Sequence, residues 1–328
     1  MGCRASSACV QRTIAATDGL NLDVVGQWVG VFHLASGSRV VAACTSHFAQ
    51  AWHTMDTSDA VCAGCAGKGV DIMNQRPAIV LAGQRNDGRL ASLSAFQWEA
   101  EIRVGGRALV EYVVDALRQS GRIAPIVVVG PSSLPLHDVI WAPVHDEMFA
   151  NVISGLDCVG DGPVLIATAD VPFLTPEAVS AFVDAADDHY DVVYPIIEKS
   201  LVEARFAQTQ RTYVRLVDGT FTGGNIFMVR KEAVLRSRTA VTELLEHRKS
   251  PRRLAGDIGL GILVKWLIGR LGIEDAQKRV AQLLGIKGQA LIFDYPEVGV
   301  DVDKPQDWEM ADRLLGNGQN APASVQQP

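Results

Sequence analysis

The chain alternates short, almost wholly apolar runs with longer stretches whose apolar residues recur at helical spacing. The run Pro77-Ala-Ile-Val-Leu-Ala82 stops at Gly83, the pattern of a buried parallel strand opening onto a loop. From Arg107 to Ser120, Leu109, Val113, Ala116 and Leu117 fall on one helical face. Residues 126–129 read as a second buried strand, closed by Gly130-Pro131, and 148–158 as a short helix. Residues 162–170 are a third apolar strand whose last residue, Asp170, is a carboxylate. Thr175-Pro176-Glu177 starts a helix running to about Asp187: threonine caps it, proline suits the first turn, and the acid meets the positive helix end. Residues 191–197 form a fourth strand.

Strands alternating with helices predict right-handed crossovers and a mostly parallel sheet. The pattern then changes. Residues 212–217 and 220–229 flank Asp218-Gly219, a strong hairpin turn signal. Residues 231–284 are helical in pattern and include the apolar stretch 258–271, interrupted by Lys265 and Arg270. A late strand at 289–293 and a closing helix to about Leu315 complete the unit. The expected architecture is a three-layer, Rossmann-like α/β domain over 73–316, with a late β-hairpin and a C-terminal helical insert at 231–284. Residues 317–328 read as a polar, disordered tail.

The 328 residues are 48% hydrophobic and 20% charged, enough to bury a core. A net charge of −7 argues against nucleic-acid partners, which need a basic face. No run has the charge-free apolar length of a membrane span, and nothing at the start resembles a secretory signal; a cytoplasmic location is expected. Cys3, Cys9, Cys44, Cys62 and Cys65 crowd the first 65 residues, where no glutamate occurs and Lys68 is the lone lysine before Met73. Residues 1–72 therefore read as poorly structured or as an over-extended reading frame with translation starting at Met73. A small appended domain is the rival. Cys62 and Cys65 lack partners at zinc-site spacing.

The loop after the first strand, Gly83-Gln84-Arg85-Asn86-Asp87-Gly88-Arg89, combines glycines with guanidinium groups, and Gly105-Gly106 precedes the next helix. Glycines let backbone approach a phosphate closely, exposed amides favour anions, and open α/β sheets put ligands at strand carboxyl ends. Tight packing alone also explains such turns. Asp170 and the pair Asp301/Asp303 are candidate ligands for a hard cation such as Mg2+, which takes one or two carboxylates plus substrate phosphates. Helix capping is the commoner role of a single aspartate.

These motifs together resemble the MobA-like NTP transferases. The matching pieces, in order, are Ile79-Val-Leu-Ala-Gly83 with Arg89, Val104-Gly-Gly-Arg-Ala-Leu109, residues 165–172 around Asp170-Val-Pro, Thr222-Gly-Gly-Asn225, and Gly299-Val-Asp-Val-Asp-Lys-Pro305 followed by Asp307. Arg211-Thr-Tyr-Val-Arg215 and Tyr295-Pro-Glu-Val-Gly299 are also similar to a subgroup of uncharacterised bacterial nucleotidyltransferases. The resemblance implies Mg2+-dependent transfer of an NMP group from an NTP to a phosphorylated small-molecule acceptor, with release of pyrophosphate. Leu81, Ala82, Gly83, Gln84, Arg85 and Arg103 would bind the nucleotide, and Arg89 and Asp170 would serve catalysis. Asp170 with Asp301 or Asp303 would hold the metal; two apart on a strand, these two would share a face.

Arg211, Arg215, Gly224 and Asn225 are expected at the acceptor; the alternatives are solvated charges on a hairpin for the arginines and a β-bulge for Gly224-Asn225. The family usually has glycine at Gln84, and a phosphate-holding lysine whose place here falls near Glu99, so Arg85, Arg89 or Arg103 must substitute. Alternatives are a glycosyltransferase on the same fold, or a non-catalytic nucleotide-binding protein. Arg248, Lys249, Arg252 and Arg253 before the apolar stretch suggest contact with an anionic membrane surface. An apolar helical stripe is more often core. The insert is therefore expected to be a helical lid beside the nucleotide site, with Leu260, Val264 and 267–271 packed on 280–284.

Overall fold

The computed structural model describes residues 75–316, apart from 208, 248–255 and 257. The N-terminal extension, the C-terminal tail and the four basic residues at 248–253 lie outside the described residues. In chain order, β1 (Arg76–Leu81) leads through a long loop to a small hairpin of β2 (Arg103–Val104) and β3 (Arg107–Ala108). Then come α1 (Leu109–Gln119), β4 (Ile123–Val129), β5 (Ile140–Ala142), α2 (Met148–Leu156), β6 (Pro163–Thr168), α3 (Pro176–Ala185) and β7 (Val192–Glu198). Helix α4 (Lys199–Arg205) is followed by β8 (Val214–Leu216), β9 (Gly219–Gly223) and β10 (Ile226–Arg230). The helical stretch comprises α5 (Lys231–Arg236), α6 (Arg238–His247), α7 (Leu260–Leu267) and α8 (Ile273–Leu284), before β11 (Gly288–Ile292) and α9 (Pro305–Gly316).

β1 lies between β4 and β6, parallel to both, and β5 extends that parallel half. β10 enters antiparallel between β6 and β7, and β11 covers the far edge of β7 in parallel. The hairpin arm expected at 220–229 is two strands in line. β9 pairs with β7 from Ile196 to Glu198 and β10 with it at Val192 and Val193, the register slipping by two residues at Gly224-Asn225. A glycine pair there has a packing reason. A Cβ on Gly223 would meet the Tyr194 hydroxyl, and one on Gly224 would lie 2.7 Å from Pro195 Cγ.

Both faces of the sheet are covered, so its central strands are apolar throughout. On one face α1 and α3 bury Val113, Leu117, Val179 and Phe182 against Val80, Val128 and Leu165. On the other, α2 and the first insert helices bury Phe149, Val152, Leu156, Val234 and Val241 against Ile79, Val127 and Ile166. The Thr175 hydroxyl caps α3 by accepting from the Ala178 amide at 3.2 Å, as its sequence requires. Gly155 lets α2 touch β1: a Cβ there would lie 2.5 Å from Ile79 Cγ2. Gly155→Ala should therefore destabilise by about 1–2 kcal/mol in urea unfolding, because overpacking costs about 1–3 kcal/mol and outweighs a helix-propensity gain of about 1.

The insert packs otherwise than the apolar pattern suggested. Helix α7 starts after Gly259, whose φ is +87°, and turns Ile262 and Trp266 toward the β8–β9 hairpin and Leu271. Leu260, Val264, Leu267 and Ile268 are exposed rather than packed on α8. The hairpin captured the 262/266 stripe, and its tip holds the insert: Val217 N–H donates to Leu271 O, and Asp218 Oδ2 accepts from Ile273 N–H. Between the insert and the sheet lies an apolar cavity lined by Phe149, Tyr194, Phe227, Val241 and Leu284. No described helix is long and apolar enough to cross a membrane.

Candidate active site

The loop after β1 folds back on itself at the carboxyl ends of β1 and β6. Arg85 and Trp98 form an antiparallel bridge, Asn86 N–H donates to Gln97 O, and Glu99 N–H donates to Gln84 O. The Asn86 side chain ties the turn together by donating to Ser94 and Phe96 oxygens. Leu90, Ile102, Val104 and Leu109 root this excursion in a small core shared with Val302 and Ala311. That core explains how Asp301 and Asp303, far along the chain, reach the loop. Val302 between them is 1% exposed, and its amide donates to the Asp170 carbonyl at 2.9 Å. One hydrophobic residue and one backbone bond thus bring the late aspartates to the end of β6.

The two late aspartates do not share a face, because 301–303 is not a strand. Asp301 pairs with Arg211, whose guanidinium also bonds the Asp301 carbonyl and approaches Asp307 Oδ1 at 3.3 Å. Asp303 turns the other way and pairs with Arg89 at 2.8 Å. The Asp170 carboxyl is held above its usual range, first by burial and further by Asp303. The Thr168 hydroxyl lies beside this carboxyl and opposes the rise, but not in a geometry that satisfies the buried Asp170 Oδ1. Asp307 Oδ2 and the Tyr213 hydroxyl are likewise buried without a hydrogen-bond partner. Orphaned oxygens at a strand end suit a hard cation or a polar ligand, although no three described His, Cys, Asp or Glu residues are placed to hold a metal by themselves.

The other candidate residues take distinct places. Leu81 and Ala82 are buried, so their backbone alone could serve a ligand. Gly83 is a close-packing glycine, a Cβ there lying 2.8 Å from Val144 Cγ1. Gln84 lies on the paired arm of the loop, and the Arg85 guanidinium stacks over Trp98 at 4.9 Å. Gly105 and Gly106, with φ of +56° and +84°, form the β2–β3 turn docked on α9, where Asp312 accepts from Gly105 N–H. That turn, rather than a phosphate, explains their freedom from Cβ. Arg103 donates to the Gly106 carbonyl in the same turn.

On the acceptor side, Arg211 is buried among aspartates instead of free. Arg215 is exposed on β8. Asn225 donates from side chain and backbone to Val298 O, and Gly224 N–H donates to Pro195 O. These bonds dock the β9–β10 junction on the 296–299 turn and on β7.

Two residues carry signals that motif reading passed over. Tyr213 presents its orphan hydroxyl beside Arg211, with Lys199 over its ring. Glu99 is 8% exposed, its Oε1 reaching within 3.5 Å of where a Cβ on Gly88 would stand. Burial, then Asp170, Asp303 and Asp87, push its carboxyl up to about 8. Folded Glu99 therefore keeps a proton that the unfolded chain has released, so stability falls as pH rises from near 5 through 8 and is flat above. In metal-free buffer, Glu99→Gln should remove that decline, leaving the variant ~2–4 °C more stable relative to wild type at pH 9 than at pH 6.

The MobA-like NTP transferase domain matches residues 78–255. A hypothetical transferase from Thermus thermophilus is similar at 38% identity and a TM-score of 0.67, covering 71% of this chain and 99% of that one. The CMP:2-keto-3-deoxy-manno-octonic acid synthetase complexed with CTP shares the fold at 14% identity and a TM-score of 0.50, covering 74% of this chain and 100% of that one. No curated protein matches. With its mixed α/β sheet, its strand-end loop and more than half its length matched, the chain belongs to the MobA-like NTP transferase family and is a nucleotidyltransferase.

Proposed function

We propose that the chain moves an NMP group from an NTP to a phosphorylated small-molecule acceptor in the cytoplasm, with a divalent cation held by Asp170 and Asp303. The observation that supports this most is the meeting of a buried, unpartnered Asp170 oxygen with Asp303 beside the β1 loop. Asp303 is preferred to Asp301 because its partner Arg89 is an exposed side chain that can swing away, whereas Asp301 is held by the buried Arg211. An acceptor phosphate oxygen attacks the α-phosphorus, the α–β bridging P–O bond breaks, and pyrophosphate leaves with the bonding electrons. The bound cation would neutralise charge gathering on the phosphates. Loop backbone from Gly83 to Gly88 lines the nucleotide, and Arg89, exposed at the mouth, is placed to draw the leaving pyrophosphate. Arg211 acts by holding Asp301 and Asp307, leaving Arg215 and Tyr213 as the acceptor-side candidates.

A second reading, nucleotide binding without turnover, has one observation in its favour: buried Glu99, near the place of the family's phosphate-holding lysine, brings no positive charge to a triphosphate. Thermal melts with and without Mg2+ test the binding step common to both. One NTP should raise the melting temperature with Mg2+ present and fail to do so in excess chelator. No shift with any NTP would refute nucleotide binding at this site.

A further inference from the structure

The cavity between the insert and the sheet has a volume of about 130 Å³. Packed interiors hold few voids larger than a water molecule, and an empty one of this size is costly to keep. Strands β7, β10 and β11 form one wall, and α2, α5, α6 and α8 the other. Phe149, Phe227, Val241 and Leu284 line it, and no charged side chain does. Water gains little there, since a buried water needs about two to four polar partners. Most polar groups of the walls are already engaged. Ser237 Oγ donates to Val234 O, and Gln277 Nε2 donates to Gly288 O. Gln289 contributes backbone, because its register with Val193 puts its side chain on the opposite face of the sheet.

Tyr194 is the exception. It lines the cavity, and its hydroxyl lies over Gly223, where a Cβ would collide with it. Burial alone pushes the pKa of that hydroxyl above its usual value, and among the described residues no hydrogen bond engages it. A buried tyrosine ordinarily finds a hydrogen-bond partner. A void and an unpartnered hydroxyl thus fall on the same residue, and a single ligand answers both. We propose that the cavity binds an uncharged small molecule of about six non-hydrogen atoms, apolar except for one group that hydrogen-bonds the Tyr194 hydroxyl. The size follows from comparison with apolar cavities of about 150 Å³, which take up benzene. Neutrality follows from the walls, because a charge buried without a partner is expensive. No residue assigned to the strand-end site lines this cavity, so the proposal stands apart from nucleotidyl transfer.

The test is titration calorimetry on the full chain with three probes: benzene, phenol and benzoate. Benzene and phenol should each bind the wild type at a single site, with Kd of about 0.1–1 mM. Phenol should bind at least as tightly as benzene, and benzoate about tenfold more weakly or worse, because its carboxylate must be desolvated. Tyr194→Phe keeps the shape of the wall and should leave benzene affinity unchanged. Its phenol affinity should fall about tenfold, since the phenol hydroxyl then goes unpaired. Val241→Phe fills the cavity from α6 and should bind neither probe; Val280→Phe fills it from α8 should the first change cost the fold. Four results would each overturn the proposal: a wild type that binds neither benzene nor phenol, benzoate bound as tightly as phenol, a Tyr194→Phe that weakens phenol no more than benzene, or binding that persists in a folded, filled variant.

Discussion

Asp170→Asn should lose pyrophosphate release by about 10^3-fold or more while folding at least as stably as the wild type. The rate follows from chemistry: a carboxylate–cation pair supplies several kcal/mol of charge stabilisation to phosphoryl chemistry, and asparagine is a poor ligand for a hard ion. The stability follows from geometry. The Val302 amide bonds the Asp170 backbone carbonyl, so the junction of β6 with the late segment survives the change. The side chain contributes a buried oxygen without a partner and a charge that Asp303 opposes. Removing that charge relieves repulsion. Wild-type turnover in the variant would refute the metal assignment, and a collapsed thermal transition would show Asp170 to be structural.

Arg211→Met should be the most damaging single change to stability, at about 3–5 kcal/mol, because it strands acids in a buried place. The Arg211 and Asp307 side chains are 8% and 3% exposed. The guanidinium also bonds the Thr209 hydroxyl and the Asp301 carbonyl, so one side chain joins the segment before β8 to the start of α9. Burial pulls the guanidinium below its usual value, and Asp307, Asp170 and Asp303 oppose that pull. Urea midpoints at constant m-value report the loss. An Arg211 whose work was to grip acceptor would instead raise KM and leave the midpoint where it was.

The strands were legible because fully buried parallel strands are written as short apolar runs, whatever they pair with. The place of Asp170 was legible for a related reason: it follows directly where the apolar run 163–168 ends, at the carboxyl end of the strand. The fate of Asp301 and Asp303 was not. Strand periodicity puts residues two apart on one face, but the segment is irregular, and Arg211 and Arg89 pull the two carboxylates apart. Helix α7 shows a similar limit, since two apolar stripes were available and the β8–β9 hairpin took the one at 262 and 266. Gly83, Gly105 and Gly106 resemble phosphate glycines in sequence, yet Gly83 packs on Val144, Gly105 docks on α9, and Gly106 takes a positive φ in the β2–β3 turn. Glu99 is an ordinary surface letter until Leu90 and Ile102 fold the loop over it.

Pyrophosphate release tests the central claim most directly. Each of the four NTPs is incubated with Mg2+, the protein and a panel of phosphorylated sugars, sugar alcohols and related small molecules, and released pyrophosphate is followed enzymatically. The account predicts release that requires one NTP and one acceptor together, vanishes in chelator, and vanishes in Asp170→Asn. Nucleotide binding with no release from any pairing, or release unaffected by Asp170→Asn, would contradict it.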